Sequence, residues 1–127
     1  MRYLMIHKLD ESIPEAWNPS PEFIEKMGAY MEEVQASGVL LAGEGVHRSS
    51  EGALIRKDAK GVSVTDGPFS EAREVIGGFA LVNVADKAEA IEYGRRFAEL
   101  FPEVSVEIRR VVEEEDLAEL LGDQTAG

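Results

Sequence analysis

The sequence contains no cysteine and few basic residues. The absence of cysteine excludes disulfide bonds, thiolate nucleophiles and cysteine-based zinc or iron–sulfur sites. Only 13 Lys and Arg stand against 25 Asp and Glu, so the formal net charge is −12. Binding of DNA or RNA requires a basic surface, and we therefore expect no nucleic-acid partner. An acidic surface of this kind favours solubility.

Long apolar runs are missing as well. No stretch is long enough to span a membrane, and the apolar run within residues 1–7 is too short for the core of a signal peptide. With the lack of cysteine, this favours a cytoplasmic protein that does not bind a membrane.

The sequence also lacks the motifs of several common enzymes. There is no Gly-x-Ser-x-Gly, no phosphate-binding loop and no His-Glu-x-x-His. Glu44 and His47 could form part of a metal site, but a third ligand is missing nearby. We therefore expect neither a metal ion nor a cofactor.

Periodic patterns predict an alternation of strands and helices. Ser20 and Asp86 are residue types that begin helices, and Gly38 and Pro102 are residue types that end them. The predicted strands are residues 2–8, 39–42, 53–57, 62–65, 75–84 and 104–109, and the predicted helices are 21–37, 87–101 and 113–121.

This order predicts an α+β fold, a ferredoxin-like βαββαβ sandwich with an inserted hairpin. Residues 1–112 would form a single domain, and residues 113–127 an acidic helix with a frayed tail. Two helices cover one face of such a sheet, yet the first strand is apolar on both faces. We place Tyr3, Met5 and His7 on the face that meets a second copy, which predicts a homodimer with stacked sheets.

The segment from Asp66 to Gly78 is the most distinctive part of the chain. It combines a Gly67-Pro68 turn, the apolar Phe69, several charged residues and the pair Gly77-Gly78. Glycines inside a strand indicate a bulge or a close approach by another group. One interpretation is a rigid corner between strands; the other is the rim of a cleft that includes Asp66, Glu71, Arg73 and Glu74.

This segment resembles the DGPF branch of the YCII-related family in three consecutive motifs: Asp-Gly-Pro-Phe, then Glu71-x-Arg73-Glu74, then Gly-Gly-Phe. The resemblance implies a dimeric α+β barrel with a cleft on the sheet, and a catalytic dyad of His7 with Asp66. It also implies a protein partner linked to an extracytoplasmic-function sigma factor. Arg73 stands where the family usually has lysine, which keeps the charge but changes the hydrogen-bond geometry.

Two further groups of residues could contribute chemistry. His7 suits a general acid or base because its usual pKa is near neutral, although a structural hydrogen bond is an equal interpretation. Glu107 and Arg109 lie two apart on the last strand and point the same way. Arg109 could hold an anionic group, or pair with Glu107.

Trp17 could cover the mouth of a pocket, or pack onto the nearest helix.

Three functions are compatible with these observations. The first is a small-molecule site in a cleft of a homodimer, with His7 and Asp66 in acid–base roles and Arg109, Glu107, Glu71, Arg73 and Phe69 contacting the ligand. Any activity would be cofactor-free proton transfer of an isomerase or lyase type. The second is a regulatory protein linked to a sigma factor. The third is a non-catalytic structural dimer. The fold alone does not select among them.

Overall fold

The computed structural model describes residues 1–69 and 74–126. This part of the chain contains six strands and three α-helices. Single turns of 3₁₀ helix lie at Pro14–Trp17 and Ser49–Glu51. The strands are β1 (Arg2–Leu9), β2 (Leu40–Gly45), β3 (Ala53–Asp58), β4 (Gly61–Asp66), β5 (Val75–Asn83) and β6 (Ser105–Arg110), and the helices are α1 (Pro21–Ala36), α2 (Lys87–Ala98) and α3 (Glu114–Ala126).

Four strands form one antiparallel sheet in the order β2-β5-β1-β6. The strands β3 and β4 pair separately as a hairpin. The α+β class is therefore confirmed, and the strand order is compatible with a ferredoxin-like fold that carries an inserted hairpin.

The predicted helix starts are confirmed by their capping hydrogen bonds. Ser20 Oγ accepts a hydrogen bond from the backbone N–H of Phe23 at 3.1 Å, and Pro21 occupies the first helical position. Asp86 Oδ1 accepts one from the backbone N–H of Glu89 at 2.9 Å. After α1, Gly38 has a positive φ of 81°, as expected for a residue that follows a helix end.

The hydrophobic core lies between α2 and the centre of the sheet. Ala90 of α2 is completely buried, and it packs with Tyr3, Met5, Val82 and Val84. A small residue at position 90 lets the helix approach the strands closely. Helix α1 joins this layer through Tyr30, whose hydroxyl donates to the backbone oxygen of Tyr93 at 2.9 Å.

The prediction that Tyr3, Met5 and His7 face a second copy is wrong. Tyr3 and Met5 belong to the core beneath α2, and the His7 ring contacts Phe97 of α2 and Phe101 beyond it. Both faces of β1 are apolar, so the alternation alone could not decide which face the helices cover.

The opposite side of the sheet, here called the open sheet face, is partly exposed. Strand register places Leu4 beside Leu81 and Ile6 beside Phe79 on this side, and Phe79 is 39% exposed. The same register adds Glu107 and Arg109 from β6. The open sheet face is therefore an apolar strip between charged side chains on the two edge strands, with Glu107 and Arg109 on β6 and Glu44 on β2.

The hairpin of β3 and β4 is exposed along its whole length. Ile55, Val62 and Val64 share one face of it and are 67%, 64% and 65% exposed. Isolated two-stranded hairpins are marginally stable in water. This exposed apolar face is therefore a candidate contact surface.

Among the described residues, no helix combines the length and the apolar character needed to cross a membrane.

Candidate functional site

A cavity of about 1370 Å³ lies between α1 and the sheet. The apolar side of α1 forms one wall, with Phe23, Met27, Tyr30, Met31 and Val34. Leu9 and Val106 of the sheet, together with Phe97 and Phe101, line the other side. The cavity is thus largely apolar and rich in aromatic and methionine side chains.

His7 reaches this cavity because β5 has glycine opposite it. A Cβ at position 77 would lie 2.8 Å from His7 Nε2, and one at position 78 would lie 2.5 Å from His7 Cε1. The pairing of β1 with β5 also shifts between His7 and Lys8, which leaves Gly77 outside the regular register. The predicted bulge and close approach at Gly77-Gly78 are therefore confirmed.

The environment of His7 favours a neutral imidazole. The ring lies 5.3 Å from the Phe97 ring and 5.6 Å from the Phe101 ring, measured between centroids. Burial lowers the pKa of His7 below its usual value. A neutral imidazole has one N–H donor and one acceptor nitrogen. Among the described residues, none forms a hydrogen bond with this ring, and its Nε2 lies against Gly77 of β5.

Trp17 lies in the 3₁₀ turn that closes one side of the cavity. Its Nε1 is covered from solvent and has no hydrogen-bond partner among the described residues. The position of Trp17 in the cavity lining is compatible with both sequence interpretations, the cover of a pocket and packing onto the nearest helix.

The Asp-Gly-Pro-Phe turn is held by Ser49, a residue that the sequence analysis missed. Ser49 Oγ donates to Glu11 Oε1 at 2.5 Å and accepts from the backbone N–H of Phe69 at 3.0 Å. A Cβ at Gly67 would lie 1.6 Å from the carbonyl oxygen of Ser49. Position 67 must therefore be glycine. Because Glu11, Ser49 and Phe69 are far apart in the sequence, no local pattern signals their contact.

Of the residues predicted to form the rim of a cleft, Glu74 lines the cavity, and its carboxylate accepts a hydrogen bond from Ser105 Oγ at 2.7 Å. Asp66 is exposed at the end of β4, opposite Ala53, and does not line the cavity that His7 lines. Phe69 is half-buried beside Ser49. Glu71 and Arg73 lie outside the described residues. Asp66 and Phe69 agree with the corner interpretation and Glu74 with the rim interpretation.

Glu107 and Arg109 belong to the open sheet face, on the opposite side of the sheet from His7. Glu107 accepts hydrogen bonds from Lys8 Nζ at 3.1 Å and from Arg109 Nη1 at 3.2 Å. These hydrogen bonds lower the pKa of Glu107. The predicted pair is present, but the Arg109 side chain is 72% exposed and thus contributes little to stability.

In the part of the chain that the structure describes, no group of three or more His, Asp and Glu side chains could hold a metal ion.

We expect Gly67→Ala to destabilise the fold strongly. The new methyl group would overlap the Ser49 carbonyl, so the turn must shift and break the Ser49 contacts. The free energy of unfolding should fall by at least about 2 kcal/mol, measured by urea denaturation. Gly28→Ala is the matched control, because a Cβ there meets no atom within 4 Å. Equal stability of the two variants would contradict the assigned role of Gly67.

His7 should make stability depend on pH. Since its pKa is lowered in the folded state, the unfolded chain binds more protons between the folded and unfolded pKa values. The contribution of His7 is therefore complete above the unfolded pKa and is lost as the pH falls through this window. The decline in unfolding free energy from about pH 7 to pH 5 should be shallower in His7→Gln.

An NMR titration of the imidazole protons provides the direct check. The His47→Gln variant leaves His7 as the single histidine of the chain and so assigns its signal. A folded-state pKa at or above the usual value for histidine would contradict the buried, neutral environment described above.

Comparison with known proteins places this chain in a family. Residues 1–115 match the model of the YCII-related domain. An uncharacterized protein of Rhizobium meliloti (strain 1021) is 28% identical over 112 residues, which cover 86% of this chain and 90% of that protein. The match to the domain model extends over nearly the whole chain. The protein therefore belongs to the YCII-related family.

Proposed function

We propose that the protein binds a small molecule in the cavity between α1 and the sheet, and that His7 acts there as a general acid or base. The observation that carries the proposal is the imidazole of His7, which packs against Phe97 and Phe101, has no hydrogen-bond partner among the described residues and lines an apolar cavity of about 1370 Å³. Pockets for drug-sized ligands occupy roughly 300–1,000 Å³, so the space is sufficient.

The chemistry that fits His7 is cofactor-free proton transfer. Its neutral ring can accept a proton through one nitrogen and donate one through the other. The aromatic rings of Phe97 and Phe101 exclude water from one side of the imidazole, which supports an isomerase- or lyase-like reaction. Asp66 lies outside the cavity lining, so the acid–base role depends on His7.

Ligand binding can be assigned to one face of the sheet by a pair of variants. We expect some members of a panel of small aromatic compounds to raise the thermal unfolding temperature of the wild-type protein. His7→Gln should weaken their binding by about 10-fold, the effect of one lost hydrogen bond. Arg109→Ala, on the open sheet face, is the control and should leave binding unchanged. Weaker binding in Arg109→Ala with no change in His7→Gln would contradict the proposal.

We also propose that two copies associate through the open sheet face. Its strip of Leu4, Ile6, Phe79 and Leu81 is apolar and partly exposed. Stacking of two such faces would remove this apolar surface from water and give the dimeric arrangement that the family resemblance implies. The regulatory partner linked to a sigma factor stays a prediction.

Dimerisation can be checked by sedimentation equilibrium. Phe79→Asp puts a charge on the open sheet face and should shift the protein to the monomer at concentrations where the wild type is a dimer. Ile24→Asp is the matched control, because Ile24 is an exposed apolar residue of the helix layer. A monomeric wild type, or equal association of both variants, would contradict this interface.

A further inference from the structure

The two outer edges of the hairpin differ in charge. Strand β3 carries Arg56, Lys57 and Asp58, whereas β4 has no charged residue from Gly61 to Thr65. Charged side chains on an edge strand oppose its pairing with another chain. The valine and threonine residues of β4 instead favour an extended strand. The outer edge of β4 is therefore the one suited to accept a further strand.

The register of the hairpin determines which backbone groups of β4 face outwards. The backbone N–H of Gly67 donates to the carbonyl oxygen of Gly52 at 2.9 Å. Pairs with and without hydrogen bonds alternate along an antiparallel ladder, which makes the pair of Val64 with Ile55 one without. By the same alternation, the N–H and C=O groups of Val62 and Val64 point away from β3. Every residue of β4 is exposed.

We infer that β4 pairs antiparallel with β4 of a second copy, around a twofold axis at Ser63. In this register Val62 lies opposite Val64 of the partner subunit, so the outward N–H and C=O groups of both residues form the hydrogen bonds between the chains. The valines of the two copies then share one face with Ile55. The hairpin, a marginally stable unit on its own, becomes part of a four-stranded sheet.

Charge complementarity supports a second copy as the partner. In this register Asp66 lies beside Lys60 of the partner subunit, and the twofold axis gives two such pairs. A shift of two residues would place Asp66 beside either Val62 or Asp58 of the partner subunit, so it would lose the opposite charge or bring like charges together. A shift of one residue would put the valines of the two copies on opposite faces.

This pairing is separate from the association through the open sheet face. A contact between two edge strands is small compared with the roughly 1,200–2,000 Å² that a stable specific interface buries. We therefore expect β4 to pair at higher protein concentrations than those at which the open sheet faces stack.

Disulfide trapping can test the register, because the chain has no native cysteine. In an antiparallel pair without hydrogen bonds the Cα atoms lie about 4.5 Å apart, a distance that a disulfide can span. Ser63→Cys should therefore form covalent dimers under mild oxidation. Thr65→Cys is the matched control, because it is exposed on the same face of the same strand, whereas its two copies would lie about 13 Å apart.

The initial rate of dimer formation is measured on non-reducing gels with the full-length chain. We expect Ser63→Cys to be trapped at least about 10-fold faster than Thr65→Cys. The same ratio should hold after the additional substitution Phe79→Asp, because β4 does not use the open sheet face. Equal rates for the two cysteine variants would overturn the pairing, and faster trapping of Thr65→Cys would overturn its register.

Proline substitutions distinguish the two edges of the hairpin. Val64→Pro removes an N–H that points away from β3, so the hairpin keeps its own hydrogen bonds while the pairing of β4 is blocked. Combined with Ser63→Cys, it should slow trapping to the rate of Thr65→Cys. Ile55→Pro is the matched control, because Ile55 lies directly opposite on β3 and its N–H also points outwards. Equal slowing by both proline substitutions would overturn the assignment of the paired edge to β4.

Discussion

The arrangement of the site depends on two glycines of β5 that allow the imidazole of His7 to lie against the sheet. A Cβ at Gly77 would meet both His7 Nε2 and Leu9 Cδ1 at 2.8 Å, and one at Gly78 would meet the ring and the backbone of Glu44. Any side chain at these positions would push the imidazole away. The resulting bulge shifts the pairing of β1 with β5 by one residue, and the pairing continues with Lys8 beside Ile76 and Leu9 beside Val75.

Helices α1 and α2 cover the same face of the sheet with side chains of different size, and this difference gives rise to the cavity. Helix α2 presents Ala90 and Gly94, and small residues let it approach β1 and β6 closely. Helix α1 presents larger side chains such as Phe23, Met27 and Met31, which line open space. Close packing beneath α2 stabilises the fold, while the looser packing beneath α1 leaves the cavity.

Local sequence patterns predicted the strands and helices, but contacts between segments far apart in the chain could not be predicted from the sequence. The caps Ser20 and Asp86 and the bulge at Gly77-Gly78 follow from short-range chemistry, and all three are confirmed. The face of His7 was predicted wrongly, because β1 is apolar on both sides. The contact of Glu11 with Ser49 joins segments 38 residues apart, so no local pattern contains it.

His7 and Arg109 lie on opposite faces of the sheet, and the charges on the open sheet face can therefore be considered separately from the cavity. The register places Glu44 and Glu107 on the open sheet face with Arg2, Lys8 and Arg109, and Arg2 is paired with Glu113, so three carboxylates balance three cations there. The chain as a whole carries −12, and its excess negative charge therefore lies elsewhere. A face without net charge can be covered by its own copy with little repulsion, whereas the acidic remainder keeps other surfaces apart. The distribution of charge is therefore compatible with the proposed association through the open sheet face, and it opposes contact between the acidic surfaces.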